Sequence, residues 1–209
     1  MIPVKVLAVR YLANASPALA AGLGAPRGYP SLGLITTDCD DATYIALDAA
    51  TKSADVEVAY GRSFYAGAAN ASTPHAGEVI GILAGATPGA VKSGMEAALS
   101  TLKRTGFEEA HGVPYLAHTI ASVGSFLAKE AGIPRGSALA YLIAPPLESM
   151  YALDAALKAA DVTLCKLYAP PSETNFGGAL LSGTQSACAA ACEAFAAAVA
   201  QVAAKPIER

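Results

Sequence analysis

The densest group of chemically capable side chains is Thr36-Thr37-Asp38-Cys39-Asp40-Asp41, at the end of a β-like run and just before a helical one. Carboxylates at a helix start accept from free amides and favour the positive end of the helix dipole. That accounts for one or two of these acids. Three acids within four positions leave an anionic spot able to attract a small cation, whether an amine or a metal ion. A second polar group, Pro170-Pro171-Ser172-Glu173-Thr174-Asn175, is a rigid turn that suits the lining of a polar channel equally well, since two prolines stiffen the backbone. A third segment, Tyr60 to Gly77, mixes small residues with aromatics and contains Arg62, Ser63, Phe64, Gly67 and Asn70. Long connections of this composition are often mobile or functional, and this one is expected to act as a gate.

Other candidates carry less. Cys188 and Cys192 stand four apart on a predicted helix, but no nearby His or Cys completes a tetrahedral set, so small core packing is the leading reading and no metal is assigned. The three histidines, His75, His111 and His118, are read as surface or packing residues. No HExxH, GxSxG, Walker A or GxGxxG pattern is present, so no catalytic residue and no cofactor is assigned.

Composition narrows the function classes. Apolar residues at 54% against 15% charged exceed what a lone chain of 209 residues can bury, which points to an oligomer. The net charge of −3 comes without a basic run, so the attraction to phosphate that nucleic-acid binding uses is missing. No uninterrupted apolar run is expected to reach the roughly 20 residues that cross a bilayer, and the N-terminus enters a strand-like pattern without a signal-peptide arrangement. The expectation is a cytoplasmic protein that binds neither nucleic acid nor membrane.

The elements that must position these residues are set by an internal repeat. Ala46–Val56 reads ALDAATKSADV and Ala152–Val162 reads ALDAALKAADV, differing at only two of eleven positions. Upstream, Gly24-Ala-Pro-Arg-Gly28 is answered by Gly132-Ile-Pro-Arg-Gly136, each a turn before a β-like run. Thr87-Pro88 and Gly183-Thr184 read as starts of long helices at about 87–104 and 184–204. Each half therefore reads strand, short helix, strand, helix, strand, strand, helix. The pattern predicts an α/β (α+β) unit, helices packed on a small, mostly antiparallel sheet, occurring twice. A polar, Gly- and Pro-containing linker near Thr105 to Pro114 separates the copies, giving domains 1–108 and 109–209.

With these residues in view, the chain resembles the EutL family, the ethanolamine-utilisation shell proteins of bacterial microcompartments, which carry two tandem, circularly permuted shell (BMC) modules. The resemblance runs through almost the whole chain and is carried by SLGLITTDCDDATYIALDAATK, VEVAYGRSFYAGAA, AGEVIGILAG, AYLIAPPLESMYALDAALKAADV and APPSETNFGGALLSGTQSAC. It implies a homotrimer whose six modules form a pseudohexameric tile beside other shell proteins, with a gated central pore and a small pore in each subunit. By motif, Asp40, Asp41, Tyr65, Phe107, Glu173 and Thr174 would line the small pore. Their acids would suit passage of a small polar or cationic metabolite such as ethanolamine. Two further readings stand beside this one: a small-molecule carrier or sensor, and a metal-dependent enzyme using Asp38, Asp40 and Asp41.

Overall fold

The computed structural model describes residues 1–64, 78–170 and 175–207. The chain divides into two compact units. One holds Pro3–Gly106 with Gly124–Leu127, and the other holds Met1–Ile2, Phe107–Val123 and Ala128–Arg209.

The first unit runs β1 (Val6–Leu12), α1 (Pro17–Gly22), β2 (Ser31–Thr37), α2 (Asp40–Ser53), β3 (Val56–Ser63), β4 (Val79–Gly85) and α3 (Pro88–Leu102). Its strands pair antiparallel in the order β1-β2-β4-β3. The inner strands β2 and β4 are buried along most of their length. They accordingly read as near-continuous apolar runs, SLGLI and VIGILAG, rather than as alternations. Helices α2 and α3 pack together on this sheet, closing a core around Ile35, Leu47, Val56, Leu83, Val91 and Met95.

The second unit contains β5 (Glu108–Ala110), β6 (Val113–Ile120), most of α4 (Ser125–Ala131), β7 (Ala138–Ala144), α5 (Pro146–Ala159), β8 (Val162–Tyr168), β9 (Gly177–Gly183) and α6 (Gln185–Ala204). Its sheet order is β5-β6-β7-β9-β8. Apart from β5, this repeats the first sheet strand for strand. The core gathers Leu142, Leu153, Leu181, Cys188, Cys192 and Phe195 between the sheet and the α5–α6 pair.

Smaller details repeat as well. The antiparallel register slips between Val58 and Tyr60 in β3, and at the matching place between Leu164 and Lys166 in β8. Gly24, Gly28, Gly132 and Gly136 all hold positive φ, 76°, 89°, 66° and 86°, so both copies of the G-x-P-R-G turn use glycine's access to the left-handed region. The long helices are capped alike: the Thr87 hydroxyl accepts from the Ala90 amide and the Thr184 hydroxyl from the Ala187 amide, each at 3.1 Å. The predicted element order therefore holds in both halves.

One sequence expectation needs correction. The stretch read as a plain linker folds into a hairpin: Glu108–Ala110 pairs with Val113–Tyr115 across a two-residue turn, His111-Gly112, both at positive φ. That conformation matches strand twist, and His tolerates it better than most side chains. Helix α6 is 20 residues long and holds an 18-residue stretch of mean hydropathy 1.6, enough by length and composition alone for a membrane span, although Glu193 and Gln201 interrupt its apolar run. Its sole charged residue is Glu193. Here one face of α6, from Cys188 through Phe195 to Val199, is buried in the second unit's core.

Candidate functional site

The acidic cluster lies where β2 passes into α2. Thr37 and Thr43 set the turn: their hydroxyls lie 2.7 Å apart, Thr43 donates to the Cys39 carbonyl at 2.8 Å, and the Cys39 amide donates to Thr37 Oγ1 at 3.1 Å. Cys39 occupies the N-cap position, but its side chain makes no capping bond. Asp40 and Asp41 form the first helical turn and are both buried, with the Asp41 amide donating to Asp40 Oδ1 at 2.9 Å. Asp38 stands just outside and is tied to the first strand, accepting from the Lys5 amide at 2.7 Å. The helix-start reading thus explains the placement of Asp40 and Asp41 but not that of Asp38.

A fourth carboxylate joins them. Glu78 precedes β4, and its amide donates to the Thr37 carbonyl at 2.8 Å, which brings it beside the residues following Thr37. Its pKa is raised above the usual carboxylate value, first by burial and then by the negative charges of Asp40 and Asp38. The Cys39 thiol is likewise pushed up, mainly by burial and further by Asp41, Asp40 and Asp38. Burial is the larger cause of both shifts, and the neighbouring carboxylates add to it. The sequence reading missed Glu78. The antiparallel pairing of β2 with β4, Thr37 against Val79, is the signal that finds it, because it sets the residue before Val79 next to the residue after Thr37.

The gate candidates Arg62 and Ser63 end β3, opposite Ile80 and Val79. The Phe64 amide donates to the Glu78 carbonyl at 2.9 Å, so the foot of the β3–β4 connection is tied to the acid cluster's own backbone. Gly67, Asn70 and Tyr65 lie outside the described residues, as do Glu173 and Thr174. Phe107 is placed in the second unit, its ring 5.8 Å from that of Phe176 and its carbonyl accepting from the Ile2 amide. Phe176 immediately precedes β9, so Phe107 packs at one end of the β8–β9 connection.

The remaining candidates are structural. Cys188 and Cys192 are buried in the second core, and burial pushes the Cys192 thiol up to about 11. Thr119 donates to Cys192 Sγ at 3.3 Å. Among the described residues no group of three His, Cys, Asp or Glu is placed to hold a metal ion.

Among the described residues the acid cluster is confined to the first unit. Superposing the two sheet registers sets Cys39-Asp40-Asp41 against Pro145-Pro146-Leu147, and Glu78 against Phe176. A duplicated scaffold has therefore been given one chemically distinct site rather than two.

Residues 31–115 match the BMC domain family model. The bacterial microcompartment shell protein EutL of Clostridium perfringens is 57% identical over 99% of this chain and 97% of its own length. The chain belongs to the EutL family of bacterial microcompartment shell proteins. EutL of Escherichia coli K12 is 47% identical over the whole of this chain and 97% of its own length. The crystal structure of ethanolamine utilization protein EutL from Leptotrichia buccalis aligns with a TM-score of 0.95 at 57% identity, covering 100% of this chain and 98% of that one. As a EutL-family chain it is a structural component of a microcompartment shell, which lies in the bacterial cytoplasm. It assembles with other shell proteins.

Proposed function

We propose that three copies of the chain close into a pseudohexameric tile of the shell, without enzymatic activity, and that the acid cluster draws a small cationic metabolite to a narrow passage. The observation that carries this reading is the convergence of Asp38, Asp40, Asp41 and Glu78 where β2 meets α2, with Asp40 and Asp41 buried, Glu78 half-buried and repelled by Asp40 and Asp38, and Asp38 exposed at the rim. A partly desolvated set of carboxylates is stabilised by an ammonium group, which offers both charge and several N–H donors. Ethanolamine, the compound in the names of the relatives, has that chemistry and is the proposed occupant. Because the cluster occurs once per chain, the tile would carry three such passages, not six.

Asp40, Asp41, Tyr65, Phe107, Glu173 and Thr174 are the proposed lining, now with Glu78 added. Arg62, Ser63, Phe64, Gly67 and Asn70 are the proposed gate segment, and 1–108 and 109–209 the proposed modules. Titration calorimetry tests the passage: the wild-type protein should bind ethanolamine in a salt-dependent manner, while ethylene glycol, which lacks the ammonium, should not bind. Asp40→Asn with Asp41→Asn should abolish the heat. Equal binding by that variant would remove the acid cluster from the function. Electron microscopy of the concentrated protein should show triangular or hexagonal particles, and single small globules would count against the tile.

A further inference from the structure

The two modules enter the helix of the repeated motif by junctions of different build. Thr37 ends β2 as Ala144 ends β7, and Cys39 caps α2 as Pro145 caps α5, so the first junction contains one residue more than the second, Asp38. In the second module two successive prolines, Pro145 and Pro146, fix φ at the cap and at the first helical residue. The first module has Asp40 where Pro146 stands, so that device is closed to it, and its Cys39 cap makes no side-chain bond.

Two hydroxyls take over there. Thr37 and Thr43 are both 0% exposed. The Cys39 amide donates to Thr37 Oγ1 at 3.1 Å, and the Thr43 hydroxyl donates to the Cys39 carbonyl at 2.8 Å. With the Thr37 hydroxyl donating to Thr43 Oγ1 across 2.7 Å, each proton is used once and the bonds close a ring that begins and ends on the backbone of Cys39. Bonds chained in this way polarise one another, and away from water each is stronger than in solution. The second module is built otherwise: Ala144 replaces Thr37, and Ser149, in the place of Thr43, turns its hydroxyl to the Pro146 carbonyl at 3.0 Å. Among the described residues, the ring goes with the junction that bears the acids.

We infer that Thr37 and Thr43 are positioning residues of the cation passage: by holding both the amide and the carbonyl of Cys39, they fix Asp38 on one side and Asp40 and Asp41 on the other at the spacing an ammonium group needs. This rests on the reading of the acid cluster proposed above. Carboxylates this close repel one another, and a junction free to turn would relieve the repulsion by letting Asp38 swing away from the helix start. Asp38 is exposed and stands between Thr37 and Cys39, so it is the acid that depends most on the ring. A junction that withstands the repulsion leaves less ordering for the ligand to impose, which raises affinity. Wholly buried, neither threonine touches the ligand; both act through the Cys39 backbone.

The test is titration calorimetry of the full chain with ethanolamine. Thr37→Val keeps the branched shape and removes two bonds of the ring, so affinity should fall about tenfold. Thr43→Val leaves Thr37 Oγ1 within 2.9 Å of the Cys39 carbonyl, and the loss should be smaller, about threefold. Thr37→Ser and Thr43→Ser restore the hydroxyl and should bind as the wild type does. Thr51→Val removes a buried hydroxyl near the other end of α2, where it donates to the Asp48 carbonyl and accepts from the Ser125 amide. That variant should lower the unfolding midpoint and leave the affinity unchanged. Serine variants as weak as the valines, or a Thr51→Val protein that lost affinity along with stability, would overturn the inference. Should Thr37→Val not fold, the two Thr43 variants decide alone. Valine variants that bind like the wild type while Asp40→Asn with Asp41→Asn does not would strike the ring and leave the acid cluster in its role. A wild type that binds no ethanolamine would overturn the cation passage itself, and this inference with it.

Discussion

Helices α2 and α5 carry the first eight residues of the repeated eleven-residue motif and lead different lives. Asp48 is fully buried between the amides of Gly124 and Leu127 with Lys52 at 3.3 Å, whereas the side chain of Asp154 is 64% exposed beside Lys158. Both aspartates share a neighbouring sequence, a helix and an i, i+4 lysine. What differs is what lies above them. The burial of a conserved-looking motif is thus set by its covering partner, and a duplicated module displays both the covered and the uncovered state in one chain.

The largest test of that contrast is to remove each carboxylate in turn. Asp48→Ala strips two buried amides of their acceptor and takes a charge-assisted pair from Lys52, which should cost about 3 kcal/mol. Asp154→Ala breaks an exposed i, i+4 pair worth at most about 0.5 kcal/mol in the isolated chain. Urea unfolding of the dispersed protein would measure both. Equal losses would mean that the two helices are held alike and that the difference in cover is of no energetic consequence.

A second contrast lies on the long helices. The buried set Val91, Met95, Ala98 and Leu102 of α3 is matched by Cys188, Cys192, Phe195 and Val199 of α6, so the larger side chain changes place between the two cores. Gly94 is matched by Ala191. A Cβ on Gly94 would lie 2.9 Å from Val56 Cγ2, a stiff β-branched neighbour, so Gly94→Ala should destabilise by about 2 kcal/mol despite better helix propensity. Ala191→Gly should cost about 1 kcal/mol through backbone freedom alone. Where the modules agree, the effects should agree: Gly28 and Gly136 hold φ of 89° and 86° with no atom closer than 3.9 Å to an added Cβ, so Ala at either should cost about 1 kcal/mol. Thermal unfolding of the two glycine variants that gave clearly unequal losses would show that the turns are not equivalent after all.

Much of this was legible from residues alone because the repeat supplies its own control. The G-x-P-R-G turns, the threonine caps and the apolar inner strands each appear twice, and a local signal seen twice is harder to misread. The features that escaped are those that depend on partners distant in sequence. Nothing in ALDAATK and ALDAALK distinguishes a buried aspartate from an exposed one. Glu78 joins the acid cluster only through the pairing of β2 with β4, some 40 residues apart in the chain. The His111-Gly112 hairpin was missed because a polar stretch with Gly and Pro reads equally as linker or turn until the flanking strands are seen to pair.

The finest contrast is the acid cluster itself, present in the first module and replaced in the second by Pro146, Leu147 and Phe176. Burial and the charges of Asp40 and Asp38 raise the pKa of Glu78 in the folded protein. A carboxylate whose folded pKa lies above its unfolded value favours folding in its neutral form; that contribution is full below the unfolded value, about 4.3, and is lost as pH rises through the folded one. Ionised Glu78 is therefore a burden at pH 7, and Glu78→Gln should raise the unfolding midpoint there. The gain should shrink as pH falls through the carboxylate range, because the wild-type group then becomes neutral too. Saturating ethanolamine should narrow the difference at pH 7 from the other side, by stabilising the charged wild type more than the variant. A Gln variant no more stable than wild type at pH 7, with no ligand added, would mean that Glu78 carries its charge without cost and that the first module's acids are as well solvated as any on the surface.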